Sequence, residues 1–373
     1  MILLDNKGAP FLMWWFSRVF WDAAEVAGRA GEIYSARPAA VRPVVNCSWG
    51  KKLLGQTGDG MKQGVVFLFP GQGSQYVGMG RSFFETYDDV RRLFQLGTDI
   101  LGMDLERLCF EGPEEELVLT ENVQPAITLV NIACLLVLEL QGLQPAAVAG
   151  HSLGEYSALY AAAVLDEEAV LQLVKLRGRR MQQAADKHPG AMAAILNLAA
   201  DRVAQICQEC HIEMANYNSP GQLIVSGSDT GVAQAMEMAA AAGARRCVRL
   251  QVSGPWHSRY MEAARKEFQQ DLAGFAFQDP RRPLVSNVDA AYVSSGEAAR
   301  DNLARQLCSP VYWQQSMERL IEDGYRFFIE VGPKKVLRGL LRQINREVAV
   351  YNVEDEDSLE KCLTGLQKLA IVE

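Results

Sequence analysis

Gly150-His151-Ser152-Leu153-Gly154 lies between two stretches that fix its surroundings. Ahead of it, Ala146-Ala147-Val148-Ala149 is short and wholly apolar, the pattern of a buried strand. Behind it, Glu155 to Ala163 reads as a helix. A strand that turns sharply into a helix around a G-x-S-x-G pentapeptide is a nucleophile elbow, and this order constrains the fold more than any other feature of the chain. The glycines belong there because a Cβ would clash in so crowded a turn. The Ser152 hydroxyl then stands at a helix N-terminus, where backbone N–H groups and the helix dipole favour a developing oxyanion. The competing reading is a tight turn that carries a solvated serine.

The remaining pattern agrees with such an elbow. Residues 64–69, Gly-Val-Val-Phe-Leu-Phe, form a clean apolar strand. A helix over 123–140 precedes the elbow strand, and a long helix over 167–185 follows it. Alternating strands and helices predict an α/β fold with a largely parallel sheet. After Pro189-Gly190 the character changes. Strand 191–198, helix 201–210, strands 212–216 and 223–226, helix 230–242 and strand 246–252 give the order β-α-β-β-α-β, a ferredoxin-like unit. A helix over 258–274 and apolar strands at Leu284-Val285 and Phe327-Phe328-Ile329 then resume the first pattern, so the unit reads as an insertion. The expected division is an extension over 1–60, a core over 61–188 and 256–373, and a ferredoxin-like subdomain over 189–255. The extension holds Trp14, Trp15, Trp21 and Trp49, four of the six tryptophans, and Met61 looks like a natural start.

A net charge of −8 argues against a nucleic-acid partner, because phosphate binding wants a basic surface. No apolar run is expected to reach the roughly 18 residues of a membrane span. The eight cysteines are irregularly spaced and the N-terminus lacks a secretory pattern, so reduced thiols and a cytoplasmic location are expected. Cys207-Gln208-Glu209-Cys210-His211 matches the haem-attachment spacing C-x-x-C-H. It also ends an amphipathic run, and two structural thiols, with no metal, is the preferred reading.

A serine nucleophile needs a base within hydrogen-bond reach, and the chain has four histidines. His151 adjoins the serine, but side chains diverge at such a turn. His188 sits in a polar loop and His211 ends the cysteine motif. His257, in Val252-Ser253-Gly254-Pro255-Trp256-His257-Ser258 between a strand and a helix, is the best-placed candidate. Arg177 shares a helical stripe with Val170, Leu173, Val174 and Met181. A guanidinium on an apolar face needs a partner. Two remain open: an internal Asp or Glu, or a substrate carboxylate held bidentately. The loop Gly71-Gln72-Gly73-Ser74-Gln75 lacks the Lys-Ser/Thr ending of a P-loop. In an acyl-transfer site it can supply the second oxyanion N–H, from Gln72, beside that of Leu153.

Several motifs occur in order: Phe69-Pro70-Gly71-Gln72-Gly73-Ser74-Gln75, Gly150-His151-Ser152-Leu153-Gly154-Glu155-Tyr156, Arg177-Gly178 with Met181-Gln182, Asn216-Tyr217-Asn218-Ser219-Pro220-Gly221-Gln222, and Glu330-Val331-Gly332-Pro333. With these the sequence resembles the malonyl-CoA:acyl carrier protein transacylases of bacterial fatty acid synthesis and the acyltransferase domains of polyketide synthases, from Met61 to about residue 365. The resemblance implies an α/β-hydrolase-like core with an inserted ferredoxin-like subdomain. It implies that Ser152 takes the malonyl group as an ester, that His257 is the base, that the N–H groups of Gln72 and Leu153 form the oxyanion hole, and that Arg177 binds the free malonyl carboxylate. The family lacks a triad aspartate; a backbone carbonyl orients the histidine, and the matching residue is Gln306. Trp256 stands where relatives often carry Ser or Phe against the acyl α-carbon, which favours malonyl over branched groups. The expected partners are malonyl-CoA and acyl carrier protein, with no metal or tightly bound cofactor, in a monomer. The rival readings are a trans-acting polyketide synthase acyltransferase, an acyl hydrolase, and a non-catalytic carrier-protein-binding subunit.

Overall fold

Val65–Phe69 (β1) is an unbroken apolar run with every residue buried, the signature of a strand covered on both faces. A computed structural model describes residues 64–369 of the chain. The aromatic extension and the Met61 start lie outside the described residues. β1 is the middle of a five-stranded sheet in which Ala147–Gly150 (β2) and Leu284–Val285 (β7) lie to one side, and Phe327–Val331 (β8) and Ala349–Val353 (β9) to the other. Every pairing in it is parallel. Parallel strands need crossovers, and the helices that supply them cover both faces of the sheet with apolar side chains.

Two long helices, Thr120–Leu140 and Glu167–Lys187, pack on one another beside the elbow. The first is long and apolar enough on average to cross a membrane, although Gln124, Asn131 and Glu139 break its apolar run. Except for Leu136 and Leu140 near its end, its apolar residues are buried all round within the protein, as a helix in the centre of a large core requires.

The ferredoxin-like unit is present. Ala191–Leu196 (β3), Glu213–Ser219 (β4), Gln222–Gly227 (β5) and Arg246–Arg249 (β6) form an antiparallel sheet in the order β4-β5-β3-β6. Helices Ala200–Glu209 and Asp229–Ala241 close the unit. Both sheets fall within one compact unit of the chain, so the small sheet is a lobe rather than a body of its own. Its edge strand β4 is stitched to the core at Val311, whose N–H donates to Ala215 O at 2.8 Å while its carbonyl accepts from Tyr217 N at 2.9 Å. Cys207 and Cys210 are buried in the lobe's own core and His211 is exposed, so the C-x-x-C-H stretch is packing. Among the described residues no three His, Cys, Asp or Glu side chains are grouped to hold a metal.

Several boundaries differ from expectation, two of them on either side of the His257 loop. β6 ends at Arg249 rather than Val252, although the Leu250 N–H still donates to Met192 O at 2.9 Å. The helix expected over 258–274 starts as a single 3₁₀ turn, Arg259–Met261, before Glu262–Leu272.

Candidate active site

The elbow forms where β2 ends against β1. A Cβ on Gly154 would lie 2.0 Å from Phe69 O, so only glycine lets the helix Gly154–Ala161 start this close to the neighbouring strand. A Cβ on Gly71 would lie 2.4 Å from His151 O, which shows how tightly the loop after β1 presses on the same turn. Ser152 itself adopts φ +50°, a strained value for a residue with a side chain and the mark of a nucleophile elbow. Asn287, just beyond β7, braces the turn: its Oδ1 accepts from Ser152 N at 2.6 Å and its Nδ2 donates to Gly150 O at 2.7 Å.

The structure brings His257 to Ser152. Its Nε2 is 2.8 Å from Ser152 Oγ, and its Nδ1 is 2.9 Å from the backbone carbonyl of Gln306. A carbonyl can only accept, so Nδ1 carries the proton and Nε2 is the free lone pair facing the hydroxyl. Burial, followed by the adjacent Arg177 charge, pushes the imidazole down to about 3, so at neutral pH it is an uncharged base. His151 turns the other way, its Nε2 2.8 Å from Asn218 Oδ1 in the lobe and its ring edge-on to Trp313.

The N–H groups of Gln72 and Leu153 have no hydrogen-bond acceptor among the described residues. Gly71 holds the two segments together, which leaves two unfilled donors beside the serine, as an oxyanion hole requires. Asn131 ties the loop to the helix after the elbow, donating to Pro70 O at 3.0 Å and to Ser157 Oγ at 3.1 Å.

Arg177 is 1% exposed on the buried face of Glu167–Lys187. One Nη donates to Gln124 Oε1 at 2.9 Å; the other reaches Gln306 Oε1 at 3.0 Å and Ser152 Oγ at 3.2 Å. The guanidinium lies 5.5 Å from the Tyr156 ring centre. Among the described residues it has no carboxylate partner in an ion pair, so the internal Asp or Glu left open by the sequence is not there. Its pKa is lowered, chiefly by burial. A buried cation held by two amides and a hydroxyl is a ready site for an incoming carboxylate.

Trp256 is buried, and the far edge of its indole lies 2.6 Å from where a Cβ on Gly254 would stand, beside Ala185. Ala185 is two turns along the helix from Arg177. The ring therefore packs at least partly under its own loop, rather than wholly against an acyl α-carbon.

The sequence reading missed Gln124, Asn287 and the roles of Glu155 and Asn218. Gln124 had a signal, an amide inside an apolar helix. Glu155 and Asn218 stand inside the motifs already quoted. Asn287 follows a two-residue strand and had none.

The acyl transferase domain family matches residues 66–365. The chain is 40% identical over 309 residues to the malonyl CoA-acyl carrier protein transacylase of Bacillus subtilis strain 168, covering 82% of this chain and 98% of that protein. It is 42% identical over 284 residues to the protein of the same name from Escherichia coli K12, covering 75% and 92%. Among solved structures, a malonyl-transacylase in complex with a type II polyketide synthase acyl-carrier protein superimposes with a TM-score of 0.79 at 38% identity. That match covers 81% of this chain and 99% of that one.

Proposed function

We propose that this chain, which belongs to the acyl transferase family of the malonyl CoA-acyl carrier protein transacylases, moves a malonyl group from malonyl-CoA to the phosphopantetheine thiol of an acyl carrier protein. The observation that carries the reading is Arg177: a buried guanidinium without a carboxylate of its own, 3.2 Å from the nucleophile. An acetyl group has nothing to offer that charge, whereas the free carboxylate of a malonyl group satisfies it.

The reaction runs in two halves. Neutral His257 takes the Ser152 proton through Nε2 as Oγ attacks the thioester carbon. The oxyanion of the tetrahedral intermediate receives the N–H groups of Gln72 and Leu153. The intermediate collapses by expelling the CoA sulfur, which leaves with the proton from His257. In the second half the carrier thiol gives its proton to His257 and attacks the malonyl-serine ester by the same geometry, and Ser152 recovers its proton as it leaves. The Gln306 carbonyl holds the imidazole and stabilises its charged form. These residues account for the chemistry without a metal or tightly bound cofactor. All seven described cysteines are free, which supports a reducing, cytoplasmic setting. A monomer suffices, since every group named comes from one chain.

Incubation with labelled malonyl-CoA tests this reading. Label is expected on the protein, and it should pass to holo acyl carrier protein when that is added. Label released to water would identify a hydrolase. No label on the protein would leave a carrier-binding subunit.

A further inference from the structure

Glu155 is the first acidic residue after the elbow, 2% exposed, and the mechanism above gives it no task. Among the described residues it has no cationic partner in an ion pair. It receives donors from two sides. Its Oε2 accepts a short bond from Gln306 Nε2, and its Oε1 accepts from the Asn287 backbone N–H at 3.3 Å. These are the two residues that hold the reacting pair. Gln306 supplies the carbonyl to His257 Nδ1, donates its other amide hydrogen to Ser152 O at 3.0 Å, and accepts from Arg177 through Oε1 at 3.0 Å. Asn287 grips the backbone of the elbow on both sides of His151.

We propose that Glu155 is a positioning residue for the transfer reaction: a buried acceptor that fixes Gln306 and Asn287, and through them the imidazole of His257 and the backbone of Ser152.

The chemistry of the neighbours explains why a carboxylate is needed. Arg177 is a pure donor, so the Gln306 amide oxygen must face it and the amide nitrogen must face away. That leaves a donor pointing at residue 155 from one side and the Asn287 N–H from the other. Only a group that accepts at both oxygens satisfies both. A glutamine at 155 is the same size, but it sets an NH₂ against one of these donors. Either Gln306 or the strand end at Asn287 must then move, and both lead to the reacting atoms. In its ionised form Glu155 also puts a negative charge one amide away from Arg177, which offsets part of the cost of the buried cation while the site is empty. Burial, against the pull of the Gln306 bond, raises this carboxyl to about 7.

The proposal rests on the serine–histidine reading above, and its test separates the two. Wild-type and Glu155→Gln protein are compared in three ways: thermal melting, malonyl-CoA kinetics, and the rate of inactivation by phenylmethylsulfonyl fluoride. The sulfonyl fluoride reports the reactivity of Ser152 whatever acyl group the enzyme carries. Glu155→Gln is expected to melt cooperatively and to keep the malonyl-CoA KM within about twofold. Both kcat and sulfonylation should fall about 10- to 100-fold, the size of effect that a misplaced reacting group produces. The His257 Nδ1 proton resonance should shift, because its acceptor has moved. Gln306→Met breaks the same link from the other end and keeps the backbone carbonyl, so it serves if Glu155→Gln does not fold. It should slow sulfonylation to the same extent. Wild-type sulfonylation rates in either folded variant, with the imidazole resonance unmoved, would overturn the role of Glu155. Failure of the wild-type protein to take up malonyl while still reacting with the sulfonyl fluoride would instead count against the substrate.

Discussion

In the parallel sheet every residue of β1 and β2 is buried, whereas β6 of the antiparallel sheet is exposed or half-buried along its whole length. The site takes different things from each. The nucleophile and the two oxyanion donors hang from the ends of β1 and β2, which packing on both faces holds in place. The lobe contributes Asn218, which fixes His151, and the strand that leads into the His257 loop. Atoms whose relative positions must be held to within about 0.5 Å are carried by the buried sheet, while segments at the mouth of the site are carried by the lobe. His257 joins the two: its loop leaves the lobe, yet its ring is clamped from the core by Gln306 and Ser152.

The largest effect that sharpens this contrast is at Ser152. Ser152→Ala removes one oxygen from a strained turn, so the fold should survive and covalent labelling by malonyl-CoA should vanish. Intact-mass measurement reads this directly, and a stoichiometric adduct on the alanine protein would put the nucleophile elsewhere.

Arg177 comes next. Arg177→Ala should cost malonyl transfer about 2–5 kcal/mol, the range for truncating one partner of a buried charged contact. Acetyl transfer should be spared or improved, because the penalty of an unpaired guanidinium beside an uncharged acyl group disappears. Equal losses for the two acyl groups would mean that Arg177 only supports Gln124 and Gln306.

A smaller effect concerns pH. His257 is depressed to about 3 in the folded protein, against an ordinary 6.5. A base that stays neutral should give a Ser152 acylation rate with no inflection near 6.5. The same depression links to stability with a definite sign. Above 6.5 both folded and unfolded states hold a neutral imidazole, and the His257 contribution is whole. Between 6.5 and about 3 the unfolded chain takes up a proton that the folded one refuses, so that contribution is lost as pH falls. Replacing His257 with Gln and comparing urea midpoints at pH 7 and pH 5 isolates it. An acylation rate that halves around 6.5 would show an imidazole far more solvated than its burial implies.

Much of this was legible beforehand, for physical reasons that differ by residue. Arg177 could be read because a charge on a period-3.6 apolar stripe is anomalous whatever surrounds it. The elbow could be read because two glycines and a serine encode the close approach of the helix to Phe69 O directly in the local sequence. The lobe could be read because its six elements, β-α-β-β-α-β, follow one another with only short connections between them. Asn287 could not, since its task is set by the parallel pairing of β2 with β7, more than a hundred residues apart in sequence. The helices at Arg81–Thr86, Asp88–Leu101 and Leu105–Phe110 were not anticipated, although Val90, Leu93, Phe94 and Leu101 carry a clear helical spacing. Trp256 was legible as an oddity, but the direction of its ring depends on Gly254 and Ala185, which one position cannot reveal.

The smallest effect separates the surface of the core from that of the lobe. The chain carries −8, so an acidic carrier protein would need a local basic patch to dock on it. Five arginines on the helix beyond Arg177, before β6 and just past His257 are candidates for it: Arg179, Arg180, Arg245, Arg246 and Arg259. Three of them are occupied. Arg180 makes bonds of 2.7 and 3.0 Å to Asp271 and one of 2.8 Å to Glu267; Arg179 lies 3.8 Å from Glu121; and Arg259 pairs with Glu213. Arg245 and Arg246, at the start of β6, are exposed and have no acidic partner among the described residues. The expectation therefore narrows to the lobe. Arg245→Glu with Arg246→Glu should raise the carrier-protein KM by about 2- to 30-fold, since exposed ion pairs contribute about 0.2–1 kcal/mol each. Self-malonylation by malonyl-CoA should stay unchanged. The effect should shrink as salt rises past about 0.1 M, where the screening length is about 10 Å. Arg180→Glu should behave in the opposite way, lowering the melting temperature by setting three carboxylates together while leaving carrier KM alone. If the lobe variant and the parent share one KM and one salt response, the carrier docks on the core, and the division of labour between the two sheets does not extend to the partner surface.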